Sequence, residues 1–190
     1  MVQHHKPNVL HTFSDIPNIS VPVNEPWQVE LNAPAISAMT DFRVSALFKV
    51  SPEETIEAAL QKMKVAGLRL GFVVDAKSDK IQGFITSYDI MGEKPMRYLQ
   101  SMGFSDSGVT HSDIQVKDIM EKTSDWVSVE MKNVETASVQ SVLDVFQKTG
   151  RTHIPVIDSK DGSQHHLCGL FSSSKVLRLT DFARRKASKA

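Results

Sequence analysis

Hydrophobic and polar positions between residues 47 and 67 predict a short strand followed by a helix. Leu47–Val50 has the apolar character of a strand. Ser51, Pro52 and Glu54 come next, in the capping-box arrangement that starts many helices. Gly67 is well placed to end this helix. The apolar residues at helical spacing between the two ends are Ile56, Ala59, Leu60 and Met63.

Two strands and a second helix are predicted after Gly67. Leu70–Val74 is an apolar run that is typical of a buried strand. The polar segment 75–80 predicts a turn, and residues 81–86 predict another strand. Ser87 begins the next helix. The order of this unit is therefore strand, helix, strand, strand, helix.

The same order occurs again in the second half of the chain. Trp126–Val129 predicts a strand, and a helix from about Thr136 ends at Gly150. When Gly150 is aligned with Gly67, the apolar positions of the two helices match, those of the second helix being Val139, Val142, Leu143 and Phe146. The remaining elements are a strand at 155–158, a surface loop at 159–166, a strand at 167–172 and a helix at 174–183.

The repeat predicts an α+β fold in which two β-α-β-β-α units pack through their sheets with pseudo-two-fold symmetry. A unit of about 55 residues has only a marginal core of its own, and pairing buries the face that each unit leaves open. A helix is also predicted at Pro95–Met102. The predicted organisation is an irregular N-terminal extension at 1–34, repeat 1 at 35–102, a linker at 103–115, repeat 2 at 116–183 and a basic tail at 184–190 that frays in solvent.

The N-terminal extension shows no regular period. Five prolines prevent a long helix there: Pro7, Pro17, Pro22, Pro26 and Pro34. A short strand at Ile19–Val23 and an anchoring role for Trp27 are predicted. We expect the extension to pack on the first repeat.

Composition excludes several classes of function. The chain has 190 residues, 41% of them hydrophobic, with 22 basic and 22 acidic side chains, so its net charge gives no reason to expect nucleic acid or membrane binding. Cys168 is the single cysteine, so no intrachain disulfide can form. No apolar run approaches the roughly 18 residues of a membrane helix, and the N-terminus lacks a signal pattern. We therefore expect a cytoplasmic protein.

Candidate chemistry lies in a segment that occurs in both repeats. Gly83–Asp89 and Gly169–Lys175 share one layout: glycine, two apolar residues, a hydroxyl residue, two spacers and a polar residue. The two copies differ at the last position, where Asp89 of the first copy is matched by Lys175 of the second.

Thr86 and Asp89 are three residues apart at a helix start, so both side chains can point to one place. An ionised carboxylate can accept hydrogen bonds from both hydroxyls of a cis-diol. The first helical turn, which Ser87 begins, has unpaired N–H groups that attract phosphate, and Gly83 permits a close backbone approach. The alternative is that Thr86 or Ser87 caps the helix and Asp89 complements its dipole.

Further segments match a known family. Val116–Met120 leads into the second repeat, Thr152–Asp158 forms its middle strand, and Ile36–Thr40 is a weaker version of the lead-in. With the two glycine-x-x-hydroxyl segments, this arrangement resembles a tandem pair of CBS domains, the Bateman module, of the stand-alone bacterial type. The resemblance covers roughly residues 35–182.

The resemblance implies a regulatory sensor that needs no cofactor and has no chemistry of its own. Such modules bind adenosine-containing effectors (AMP, ADP, ATP or S-adenosylmethionine) in clefts between the repeats. It implies that Asp89 accepts the ribose hydroxyls with Thr86 as its partner, and that His153 faces the phosphates. It further implies an adenine slot formed by residues before the first strand and on the middle strand: Val44, Ser45, Ala46, Gly71 and Phe72.

The second copy departs from this pattern. Ser172 retains the hydroxyl, but Lys175 cannot accept a hydrogen bond from a ribose. Lys175 is interpreted either as a phosphate ligand or as a solvated lysine on the helix. The second site is thus predicted to be empty or specialised for an anion.

No catalytic or metal site is predicted. The chain has no glycine-rich phosphate loop, and the pairs His4-His5 and His165-His166 lack an acidic or cysteine partner at ligand spacing. The expected protein is not an enzyme, forms a homodimer and acts on a separate effector protein, because no catalytic or channel domain fits in this length. The competing interpretation is a structural dimerisation and protein-interaction module that binds no nucleotide.

Overall fold

The computed structural model describes residues 26–103, 108, 110–160 and 164–187. The strand predicted at residues 19–23 lies outside these ranges. The strands are β1 Thr40–Asp41, β2 Lys49–Val50, β3 Leu70–Val74, β4 Ile81–Thr86, β5 Glu121–Lys122, β6 Val129–Glu130, β7 His153–Lys160 and β8 Gln164–Ser172. The helices are α1 Ile56–Ala66, α2 Ser87–Met91, α3 Lys94–Ser101, α4 Val116–Ile119, α5 Met131–Thr136, α6 Val139–Thr149 and α7 Ser173–Ala187, and short 3-10 turns lie at Ala35–Ala38, His111–Asp113 and Thr123–Asp125.

Two four-stranded sheets form the framework, with the orders β2-β3-β4-β5 and β1-β8-β7-β6. In each sheet the first strand of a repeat is parallel to the middle strand, and the middle strand is antiparallel to the last one. This matching topology confirms the predicted α+β fold of two similar repeats.

The repeats exchange edge strands. β1 belongs to the lead-in of repeat 1 but pairs with β8 of repeat 2, with Thr40 opposite Leu170. β5 belongs to the lead-in of repeat 2 but pairs with β4 of repeat 1, with Glu121 opposite Phe84. Each sheet is therefore completed by the other repeat, which places β1 and β2 at one edge of the sandwich and β5 and β6 at the other.

An aromatic cluster holds the two sheets together. Phe72 is 1% exposed and contacts Phe42, Phe84 and Trp126 edge-to-face, with ring centroids 5.3 to 6.4 Å apart. Leu170 of repeat 2 is buried in the same cluster. Phe72 thus lies in the core between the repeats, since packing on all sides excludes water from its ring.

Each repeat also buries a core between its sheet and its helices. In repeat 1, Ile56 and Met63 of α1 pack with Ile85 of β4. In repeat 2, the corresponding core includes Phe146 of α6 and Phe171 of β8. The apolar helical stripes of the sequence account for both cores.

The helix ends agree with the sequence pattern better than the starts do. α1 and α6 end at Gly67 and Gly150, whose φ angles of 67° and 65° suit glycine. α1 begins at Ile56, later than predicted, because the Thr55 hydroxyl accepts the hydrogen bond of the Ala58 N–H. Glu54 Oε2 accepts from the Ser51 N–H at 3.4 Å and forms an ion pair with Lys62 at 2.8 Å, but residues 52–54 form a turn and not the first turn of the helix. The start predicted at Ser51 and Pro52 is therefore wrong.

The predicted start near Thr136 is also wrong. Ser138 caps α6 by accepting from the Ser141 N–H, so α6 begins at Val139. Met131–Thr136 forms a separate helix, α5, whose Met131 and Val134 are buried in the core of repeat 2. The corresponding residues of repeat 1, 51–55, are all described by the structure and form a turn instead of a helix.

The described end of the N-terminal extension packs on repeat 2, so the expected packing on repeat 1 is wrong for these residues. Val29 N–H donates to the Leu179 carbonyl at 2.8 Å, and Val139 N–H donates to the Ala33 carbonyl at 2.9 Å. Trp27 contacts Phe182 of α7 edge-to-face at 5.7 Å. These bonds tie the segment to α6 and α7.

Two surface predictions are corrected near the C-terminus. β7 continues to Lys160 and β8 begins at Gln164, so His165 and His166 lie on a strand and not in a loop. α7 continues to Ala187, which makes Arg184–Lys186 helical where a frayed tail was predicted. Within the part of the chain that the structure describes, no helix combines the length and apolarity needed to cross a bilayer.

The exchanged strands give a matched pair of glycine substitutions. A Cβ on Gly83 would lie 2.2 Å from the Glu121 carbonyl oxygen of β5, whereas a Cβ on Gly169 would meet the flexible Met39 side chain at 2.5 Å. We expect Gly83→Ala to lower the free energy of unfolding by about 1–3 kcal/mol, because a backbone atom cannot rotate away. Gly169→Ala should lower the free energy of unfolding by a smaller amount, because the Met39 side chain can move aside. Urea denaturation of both variants measures the difference, and equal losses would contradict it.

Candidate functional site

The first candidate residues form a closed capping box at the start of α2. Asp89 Oδ2 accepts from the Thr86 N–H at 2.8 Å and from the Thr86 hydroxyl at 2.7 Å. The Thr86 hydroxyl in turn accepts from the Asp89 N–H at 3.1 Å. Ser87 is buried, and its N–H donates to the Arg69 carbonyl. The capping interpretation of Thr86 and Asp89 thus describes this arrangement.

The second oxygen of Asp89 contacts a cation. Its Oδ1 lies 2.8 Å from the Lys94 ammonium, and the Asp89 side chain is 18% exposed. The same ammonium lies 3.4 Å from the Ile119 carbonyl in the lead-in of repeat 2. A ligand hydroxyl would therefore share Oδ1 with Lys94 or replace it, while Oδ2 keeps the helix cap intact.

Charged and aromatic groups of repeat 2 face this end of β4. The His153 ring at the start of β7 packs against the Phe84 ring of β4, with centroids 5.6 Å apart. Arg151 lies beside it in the sequence and forms an ion pair with Glu121 of β5 at 3.1 Å. Both repeats thus contribute ionisable side chains to the β5/β6 edge of the sandwich.

Burial shifts the pKa values of two of these groups. Burial lowers the pKa of His153, and the negative charge of Asp89 opposes the shift. Burial raises the pKa of Glu121, with Arg151 and then Lys94 opposing. Both shifts favour the neutral form, as expected for groups in a partly dehydrated cleft.

The depressed His153 pKa predicts a pH dependence of stability. Below the ordinary value of 6.5 the unfolded chain binds a proton that the folded protein resists, so stability is present above this pH and is lost as the pH falls. We expect His153→Gln to make the free energy of unfolding less dependent on pH between the folded pKa and 6.5. The measurement is urea denaturation across that range. His111→Gln, which removes an exposed imidazole that lies 3.4 Å from the Glu57 carboxylate, shows the effect of replacing a histidine outside the cleft.

The second copy of the motif has a different arrangement. The Lys175 ammonium donates to the Met39 carbonyl at 3.0 Å and to the Thr40 hydroxyl at 3.1 Å. The Ser172 hydroxyl lies 3.0 Å from that of Ser174. Lys175 is half-buried and connects α7 to the lead-in of repeat 1, so its interpretation as a solvated lysine is wrong.

The residues proposed for the adenine slot lie in three different surroundings. Val44, Ser45 and Ala46 connect β1 to β2, at the edge opposite β5 and β6, and Val44 is 70% exposed. Gly71 is packed against β2, where an added Cβ would lie 2.9 Å from Val50. Phe72 fills the core between the sheets. The close approach at Gly83 is made by the Glu121 carbonyl of β5.

Sequence reasoning missed Lys94, Glu121 and Arg151. Arg151 directly follows the helix-ending Gly150, and Glu121 directly follows the lead-in Val116–Met120, so both stand next to recognised motifs. Lys94 is on the next helix after Asp89 and reaches it locally, whereas Glu121 and Arg151 join this site through the exchange of β5, which local patterns do not indicate. Among the residues that the structure describes, no group of three or more histidine, cysteine or acidic side chains is arranged to hold a metal.

Comparison with known families accounts for the repeat. The CBS domain family model matches residues 38–95 and again residues 116–180. This chain belongs to the CBS domain family. The two matches follow one another in a single chain, so the protein is a tandem CBS pair, as the resemblance predicted.

Solved structures show the same fold. An uncharacterized conserved protein from Pyrococcus horikoshii is 20% identical, with a TM-score of 0.53 over 85% of this chain and 96% of its own. CBSX2 from Arabidopsis thaliana, solved in complex with AMP, is 17% identical, with a TM-score of 0.51 over 83% of this chain and 98% of its own.

MJ1225 from Methanocaldococcus jannaschii, a suggested archaeal homolog of g-AMPK, is 23% identical, with a TM-score of 0.50 over 71% of this chain. The CBS pair spans about half of that protein's length, 46%. No curated protein sequence matches this chain. At these identities the similarity concerns the fold, and the side chains of the site are considered on their own chemistry.

Proposed function

We propose that this CBS pair is a non-catalytic regulatory module that binds an adenosine-containing ligand at the β5/β6 edge, between Asp89 and His153. The observation that carries the proposal is the meeting of ionisable side chains from both repeats at this edge. Asp89 and Lys94 come from repeat 1, while Glu121, Arg151 and His153 come from repeat 2. A ligand held there contacts both repeats.

The chemistry of these groups matches a nucleotide. Asp89 Oδ1 accepts hydrogen bonds and is the carboxylate oxygen not used by the helix cap, so a ribose hydroxyl that binds there leaves α2 capped. Lys94, once displaced from Asp89, and Arg151 supply positive charge for a phosphate. The complex of CBSX2 with AMP shows that a protein of this fold accommodates such a ligand.

The proposed output is a change in the relative orientation of the repeats. A ligand that binds one arrangement better than another shifts the population toward it by the difference in binding free energy. Since β5 of repeat 2 is part of the sheet of repeat 1, movement at the site is passed directly to the other repeat. A homodimer and a separate effector protein complete the proposal.

A nucleotide-free interaction module is the second candidate. It is favoured by the internal partners of Asp89, which has contacts on both oxygens, and by the contact of Lys175 with the lead-in. In that case Lys94, which contacts Asp89 and the Ile119 carbonyl, and Lys175, which contacts the Met39 carbonyl, would hold the repeats in one fixed orientation.

A thermal-shift panel separates the two candidates. AMP, ADP, ATP and S-adenosylmethionine are tested beside 2′-deoxy-AMP, which lacks one ribose hydroxyl, and GMP, which changes the base. A ligand present at 100 times its dissociation constant adds about 2.7 kcal/mol of stability. We expect at least one adenosine compound to raise the melting temperature and 2′-deoxy-AMP to raise it less. If none of the adenosine compounds shifts the melting temperature, the adenosine proposal is contradicted and the nucleotide-free module is favoured.

A further inference from the structure

The charged side chains at the β5/β6 edge are already paired with one another before any ligand binds. Lys94 forms an ion pair with Asp89 at 2.8 Å, and Arg151 forms one with Glu121 at 3.1 Å. Asp125, in the 3-10 turn after β5, is a third carboxylate whose charge acts on Glu121. When ionised, these five side chains carry three negative charges against two positive ones. The site therefore starts with a small excess of negative charge.

A ribose bound to Asp89 changes this balance by releasing one cation. When a ribose hydroxyl takes Asp89 Oδ1, the Lys94 ammonium loses its carboxylate partner and can donate to a phosphate oxygen. The ion pair of Arg151 with Glu121 uses no atom of Asp89, so the ribose leaves it in place. Lys122, the other residue of β5, points to the opposite face of the sheet from Glu121, because side chains alternate along a strand. The cation that the ribose releases suits a single phosphate group.

Glu121 opposes the addition of further negative charge. Its side chain is 24% exposed, and burial raises its pKa, with Arg151 and then Lys94 opposing the shift. The negative charges of Asp89 and Asp125 raise the pKa further, so all three carboxylates lie within electrostatic range of one another. Charges that are partly buried are screened by salt less than exposed ones. Each phosphate beyond the first adds negative charge near these carboxylates, whereas Lys94 and Arg151 supply no additional positive charge.

We propose that this site selects adenosine ligands with at most one phosphate group, and that Glu121 is the residue that discriminates against di- and triphosphates. This inference rests on the proposed function, since it concerns the ligand of the same site. Asp89 recognises the ribose, the released Lys94 binds one phosphate, and Glu121 repels any further phosphate while it holds Arg151. Repulsion of this kind gives specificity against the wrong ligand without any added contact to the right one.

Affinities across a phosphate series test this selectivity directly. Adenosine, AMP, ADP and ATP are titrated into the full-length protein by isothermal calorimetry, with EDTA present so that magnesium does not neutralise the added phosphates. We expect AMP to bind about tenfold more tightly than ATP, with ADP between them. The ratio should shrink when the salt concentration is raised, because salt screens the repulsion.

The series separates failure of the selectivity from failure of the proposed function. ATP binding as tightly as AMP, or more tightly, overturns the selectivity and leaves the adenosine function in place. If none of the four compounds binds, both are overturned.

Glu121→Gln tests the residue itself, because the amide keeps the length of the side chain and can still accept from Arg151. It should strengthen ATP binding about tenfold and change AMP binding less. Asp41→Asn is the matched control: Asp41 is 21% exposed, pairs with Arg43 at 2.7 Å and lies on β1, the other exchanged strand. It should leave the ratio of AMP to ATP affinity unchanged. The role of Glu121 is overturned if Glu121→Gln leaves this ratio unchanged, or if Asp41→Asn changes it equally.

Discussion

Replacing Phe72 with alanine is expected to lower the free energy of unfolding by about 3–5 kcal/mol. The ring is 1% exposed and touches Phe42, Phe84 and Trp126, so its removal leaves a cavity between the two sheets. Domains of ordinary stability have about 5–15 kcal/mol in total, so this loss is a large fraction of it. Urea denaturation followed by circular dichroism measures the change.

Phe182→Ala is the matched control, because it removes the same ring from an exposed place. Phe182 is 62% exposed and contacts Trp27 edge-to-face. Its loss should cost at most about 1.5 kcal/mol, the upper value for such an aromatic pair. A different result would contradict this prediction: Phe72→Ala lowers the free energy of unfolding no more than Phe182→Ala does, but weakens the binding of a nucleotide. Phe72 would then line a ligand slot instead of the core.

Local patterns predicted the parts of the fold that depend on neighbouring residues. The strand Leu70–Val74 and the ends of α1 and α6 agree with the sequence because an apolar run and a left-handed glycine act within a few residues. The helix starts were harder to predict. For α1, both Ser51 and Thr55 are residues that commonly cap a helix. The choice between them depends on Val116, whose N–H donates to the Glu54 carbonyl from the other repeat.

Exchange of the edge strands could not be predicted in this way. β1 and β5 are two residues long and have no periodicity, so their pairing is decided by the packing of distant segments. The same limit applies to the contacts of Lys175, whose partner Thr40 is 135 residues away in sequence. The position of Asp89 follows from its motif, and Lys94 contacts it from the next helix of the same repeat, but Glu121 and Arg151 join this site only when the exchanged strand is placed.

Asp89→Ala is expected to remove most of the stabilisation that an adenosine ligand provides. Loss of a hydrogen bond to a charged acceptor costs about 1.5–3 kcal/mol, which corresponds to roughly a tenfold to hundredfold weaker affinity. The substitution also breaks the capping box with Thr86, at a cost to folding of about 0.5–2 kcal/mol. The informative quantity is therefore the difference in melting temperature with and without ligand, measured within each variant.

A second capping box provides the control for this folding cost. Asp113 Oδ2 accepts from the Thr110 N–H at 2.8 Å and from the Thr110 hydroxyl at 2.6 Å, which reproduces the contacts of Asp89 with Thr86. Asp113 is exposed and lies in the 3-10 turn His111–Asp113, before the lead-in of repeat 2. Asp113→Ala should lower the melting temperature of the free protein but leave the ligand-induced shift intact.

Comparison of the two variants decides what the Asp89 carboxylate does. If Asp89→Ala retains the full ligand-induced shift, Asp89 is a helix cap like Asp113, and the ligand is held by other groups. If the shift is lost in Asp89→Ala alone, the carboxylate has two functions on separate oxygens. Oδ2 would then stabilise α2 in every state, while Oδ1 would exchange Lys94 for a ribose hydroxyl, and the released Lys94 would be available to the phosphate.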